Sequence, residues 1–122
     1  MKPIQMLTAL LLSLLFVACE FEHEQNGYPK KVHFGPEAET LSFKGDGKLL
    51  GFTLEEGNTT LGDEIIGDSI FVSMDWITVK AALRGSEMII TVKPLTEGKS
   101  RKIKIYGDFG RSFSETTVTQ KR

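Results

Sequence analysis

Arg101-Lys102-Ile103-Lys104-Ile105-Tyr106 alternates charged or polar residues with apolar ones through its whole length. A period of two is the period of a β-strand, and here it describes a strand with one face on a core and the other in water. Reading outward, Gly107-Asp108-Phe109-Gly110 turns this strand, and Thr116-Thr117-Val118-Thr119-Gln120 supplies the β-branched residues of a last one. Upstream, Met88, Ile90 and Val92 share one face, and Pro94 ends that strand because it has no amide to give a ladder. Ile70 to Val79 is the most apolar stretch after residue 31, and Asp75 before Trp76 marks a bend that splits it into two strands. Leu50-Gly51-Phe52-Thr53-Leu54, Leu41-Ser42-Phe43 and Val32-His33-Phe34 repeat the alternation, and Gly45-Asp46-Gly47 reads as a tight turn between two of them. Residues 55–69 read as a loop with Gly57-Asn58, Gly62-Asp63 and Gly67-Asp68 turns, interrupted by a brief Ile65-Ile66 pairing. No helical period occurs after residue 31. About seven short strands divided by turns predict an all-β, antiparallel sandwich.

The other end of the chain has a different character. Lys2 precedes an apolar stretch, Leu7 to Val17, that is too short to span a bilayer with flanks and that ends at Ala18-Cys19. Leu15-Phe16-Val17-Ala18-Cys19 resembles the lipobox of bacterial lipoproteins, although Phe16 departs from the usual Leu. The resemblance implies a signal peptide over 1–18 and a diacylglyceryl group on Cys19. Several acyl chains, each buried methylene contributing about 0.8 kcal/mol, make a lasting membrane anchor. Glu20, Glu22 and Glu24 follow at once, and an acidic tract in this place resembles the surface-export signal of Bacteroidetes lipoproteins. The plain alternative is a charged, solvated linker. Residues 19–31 then read as a lipidated Cys and acidic tether, with the domain over 32–122, and the expected address is the outer membrane, facing outward.

Removal of the signal leaves about 100 residues, one domain able to bury roughly two-thirds of its unfolded surface. Cys19 is the only cysteine, so no disulfide holds the domain, and the formal net charge of -1 argues against a nucleic-acid partner. Acidic residues dominate 37–75 and basic ones 80–122, an asymmetry that either pairs across strands or forms separate faces.

The order Asp75-Trp76-Ile77-Thr78-Val79, Gly85, Ile89-Ile90-Thr91-Val92, Gly98, Arg101, Ile103-Lys104-Ile105 and Val118-Thr119-Gln120 resembles the BACON family of Bacteroidetes surface proteins and glycan-degrading enzymes. It covers about residues 68–120; Pro94-Leu95-Thr96 departs from the family, which often has an Asn after that strand. The resemblance implies an immunoglobulin-like sandwich and a non-catalytic role: contact with host or dietary glycans of the mucin type, or, as the alternative, an accessory subunit docked on a larger outer-membrane complex.

The residues offer little for catalysis. His23 lies in the tether and His33 on the outward side of its strand. The neighbouring carboxylates Glu55-Glu56 and Asp63-Glu64 do not by adjacency face one bond. Metal-ligand spacing of Cys and His is absent, and Glu55, Glu56, Asp63, Glu64 and Asp68 lack the order of a Ca²⁺ loop. No cofactor or metal is expected, and no enzyme. Asp68-Ser69-Ile70 resembles the Bacteroidetes O-glycosylation motif, which makes Ser69 a candidate acceptor. A sugar face packs on an exposed ring. Trp76 is expected in the core, so Tyr106 and Phe109, with Tyr28 in the tether, are the candidates for glycan contact.

Overall fold

The computed structural model describes residues 26–122. The expected signal peptide over 1–18, Cys19, His23 and the Glu20-Glu22-Glu24 tract lie outside the described residues. Ten strands follow one another without a helix: β1 (Lys31–Phe34), β2 (Glu39–Lys44), β3 (Gly51–Glu56), β4 (Thr59–Gly62), β5 (Glu64–Ile66), β6 (Ser69–Met74), β7 (Ile77–Ala82), β8 (Glu87–Val92), β9 (Ser100–Asp108) and β10 (Phe113–Lys121). They make two five-stranded sheets, ordered β1-β10-β9-β3-β4 and β2-β8-β7-β6-β5. The all-β fold is as expected, but the strand count is higher than seven and one pair is not antiparallel: β1 runs parallel to β10, with Val32 opposite Val118.

The core is the layer between the sheets. Strand alternation sends Val32, Phe34, Phe52, Leu54, Ile103, Ile105 and Val118 inward from the first sheet, and Ile70, Val72, Val79, Ala81, Met88, Ile90 and Val92 from the second. Each of the larger side chains among these contributes roughly 1.5–3 kcal/mol by leaving water, which is why a domain with no disulfide can hold this shape. Trp76 is buried as expected, beside the bend between β6 and β7.

Three segments differ from their sequence reading. The stretch read as a loop contains β4 and β5, because Gly57-Asn58 and Gly67-Asp68 are two-residue turns whose first residue has positive φ (61° and 60°), the geometry that folds two strands back on each other. Between β4 and β5 the chain changes sheet at Asp63, whose Oδ2 accepts the Phe52 amide at 2.8 Å. Gly45-Asp46-Gly47 likewise does not join a hairpin: β2 and β3 belong to different sheets, and the segment crosses between them. A Cβ on Gly45 would overlap the Tyr28 ring, so glycine lets the crossing lie flat beneath that ring. Finally, the folded part begins before residue 32. Tyr28 is fully buried, the Pro29 carbonyl accepts from Thr116 Oγ1 at 2.7 Å, and the Asn26 carbonyl accepts from the Asp46 amide. A buried ring and three satisfied backbone groups are core structure, not tether.

Candidate functional site

The outer face of the first sheet is polar except at one corner. Thr117, Thr119, Lys102, Lys104, Glu55 and the exposed His33 point outward there, by the same alternation that buries their neighbours. At the β9–β10 end this face carries Tyr106 and Phe113. Their ring centroids are 6.3 Å apart and their planes tilted by 58°, so the two rings form a shallow angled surface. Phe113 is 65 % exposed, the most exposed large hydrophobic side chain among the described residues. The rings border an open depression of about 320 Å³ that Thr53, Asp108 and Arg111 also line.

Tyr106 is held in place from beneath its hydroxyl, which donates to Glu55 Oε1 at 3.0 Å. That bond to an acceptor is the main reason its phenol titrates above the ordinary value. Next along the face, Lys104 pairs with Glu115 at 3.5 Å, both well exposed. Such a pair contributes little to stability. The asymmetry of acidic and basic halves is not expressed as ion pairs between them among the described residues, since this pair lies within the basic half.

Phe109 is not part of this surface. Its ring stacks on Tyr28 at 5.7 Å and packs against the end of the core, over Gly47. The two proposed sugar-contacting rings therefore occupy opposite faces of the sheet: Phe109 follows the inward-pointing Gly107, while Tyr106 points outward. Tyr28, the third candidate, is in the core, where burial pushes its phenol up to about 12. The sequence reading does not single out Phe113. Its local signal is its place just after a turn, at the outward phase of the β10 alternation.

Three of the five carboxylates of 55–68 are engaged, each separately. Glu55 accepts from Tyr106, Glu56 Oε2 from Trp76 Nε1 at 2.9 Å, and Asp63 from the Phe52 amide. Neighbours on a strand point to opposite sides, which is why Glu55 and Glu56 do not converge. No group of three or more His, Cys, Asp or Glu comes together among the described residues. Ser69 is exposed at the start of β6. It edges a second depression, of about 350 Å³, on the outer face of the other sheet, lined by Phe71, Lys80, Ala82 and Ile89.

Comparison with known proteins shows the fold alone. No family model matches, and no curated protein matches. A solved structure described as the NMR structure of the protein from Bacteroides thetaiotaomicron is similar, with a TM-score of 0.56 and 14 % identity over 82 % of this chain and 80 % of that one. The chain is a small all-β, sandwich-like domain of two five-stranded sheets, weakly related in structure to that Bacteroides protein.

Proposed function

We propose that this chain is a lipoprotein of the outer membrane, anchored through Cys19, displayed at the cell surface and non-catalytic, and that it contacts glycan at the Tyr106–Phe113 corner. The carrying observation is the exposed ring pair on an otherwise polar sheet face. Apolar rings beside a few convergent polar groups suit a saccharide, which presents a C–H face and hydroxyls together. Thr53, Asp108 and Arg111 supply the polar groups. The fold relationship to a Bacteroides protein supports the all-β, sandwich-like architecture on which this reading rests.

A glycan array followed by titration with mucin O-glycans tests this. Binding is expected, and Phe113→Ala and Tyr106→Ala are each expected to abolish it while the protein stays folded. An array with no hits, or hits indifferent to Phe113→Ala, would sink the glycan reading.

A second reading, an accessory subunit docked on a larger outer-membrane complex, draws on the other sheet. Phe71 and Ile89 line its outer depression, and Ile66, 61 % exposed, stands on the adjacent edge strand. Co-purification of one stable protein partner from detergent-solubilised membranes, lost on Phe71→Ser, would favour it.

A further inference from the structure

The first described residue meets the ring-bearing hairpin. Asn26 Nδ2 donates to Ser112 Oγ at 3.4 Å, Ser112 precedes Phe113, and Phe109 of the same turn stacks on Tyr28. The polypeptide therefore enters the sandwich at the end that carries Tyr106 and Phe113. Six residues separate Cys19 from Asn26, a span of seven Cα–Cα steps. Fully extended, they reach about 25 Å. A Cys19 anchor thus keeps this end within about one tether length of the bilayer. The Gly57-Asn58 turn and the Lys93–Lys99 segment lie at the other end of strands about 30 Å long.

A ring pair at the near end is badly placed for a large soluble glycan arriving from outside. It is well placed for a sugar standing on the membrane itself. Beside it, Arg111 is exposed and makes no ion pair among the described residues. A guanidinium there suits phosphate, which it can hold through two parallel hydrogen bonds. From this we infer that the saccharide taken at Tyr106–Phe113 is the phosphorylated sugar headgroup of a glycolipid in the protein's own membrane. The sugar packs on the two rings and its phosphate meets Arg111. This inference rests on the anchor and glycan readings of the preceding subsection.

The test uses the mature chain, residues 19–122 carrying Cys19→Ala, floated with phosphatidylethanolamine vesicles, with and without lipopolysaccharide, and with vesicles containing phosphatidylglycerol. Flotation is expected only where lipopolysaccharide is present, with Phe113→Ala and Arg111→Ala each weakening it about tenfold. Equal flotation with phosphatidylglycerol vesicles would overturn the inference in favour of simple docking on anionic lipid. Binding to free mucin glycans but not to lipopolysaccharide vesicles would overturn it and leave the glycan reading standing. Binding to neither would remove both. The anchor is read independently: an intact mass of the native protein without acyl chains would overturn the inference, whatever the flotation shows.

Discussion

The Arg101 guanidinium lies over the Trp76 ring, 4.7 Å from its centroid, and joins the two sheets at the end of the sandwich away from the ring pair. Arg101 Nε also donates to Gln120 Oε1 at 2.8 Å, and its Nη2 donates to the Lys93 and Pro94 carbonyls, each at 3.0 Å. Gln120, fully buried, completes the network by donating to the Gly35 and Lys93 carbonyls. A flat group with donors along its edge meets all of these partners, and an ammonium does not. Arg101→Lys is therefore expected to cost about 1–3 kcal/mol. Urea unfolding followed by fluorescence of Trp76, the only tryptophan, measures it.

Phe109 and Phe113 stand four residues apart and are expected to behave oppositely. Phe109 packs on Tyr28 and the core, so Phe109→Ala is expected to destabilise by about 2–4 kcal/mol. Phe113 is exposed, so Phe113→Ala is expected to change stability by less than about 0.5 kcal/mol. Thermal melts of the two variants distinguish a packing ring from a contact ring. Equal losses would show that Phe113 is structural.

Ser114 is buried with no hydrogen-bond partner for its hydroxyl. Removing an unpaired buried polar group removes its desolvation cost, so Ser114→Ala is expected to be neutral or to stabilise by up to about 1 kcal/mol. A Cβ on Gly107 would stand 2.8 Å from that same oxygen. Gly107→Ala is expected to destabilise, and less so in the Ser114→Ala background, which a double-mutant cycle by chemical denaturation would measure.

Stability is expected to fall at high pH because of Tyr28. Burial raises its phenol from 10.0 in the unfolded chain to about 12 in the fold. The neutral form is thus favoured by folding; its contribution is complete below pH 10 and is lost as pH rises toward 12. Denaturation midpoints measured across this window should decline more steeply for the wild type than for Tyr28→Phe. Parallel curves would show that another group governs alkaline unfolding.

Truncation locates the start of the folded domain. A chain beginning after Lys30 loses the Tyr28 ring, the acceptor of Thr116 Oγ1 and the acceptor of the Asp46 amide. It is expected to be destabilised by at least about 3 kcal/mol. A chain beginning at Asn26 is expected to keep these contacts. Circular dichroism melts of the two would show where the domain starts.

Much of this fold can be read from local pattern, since alternation, β-branching and turn residues are properties of neighbours in the chain. The strands that form β7, β8, β9 and β10, the bend at Asp75-Trp76 and the burial of Trp76 follow from them. So does the outward direction of Tyr106, because a strand's period of two assigns each side chain to a face. The sequence alone also carries the one sign of an anchor, the apolar run closing on Cys19. Tertiary structure decided everything that depends on which distant segments meet. β4 and β5 have almost no buried face, being short edge strands, so only their pairing with β3 and β6 defines them. Tyr28 is a core residue because the crossing at Gly45 runs beneath its ring. Phe113 stands outward by the β10 alternation, whereas Phe109 lies in the turn, where no alternation assigns it a face and the stack on Tyr28 withdraws it. Periodicity determines the face on which a side chain stands; the meeting of segments far apart in the chain determines whether anything covers it.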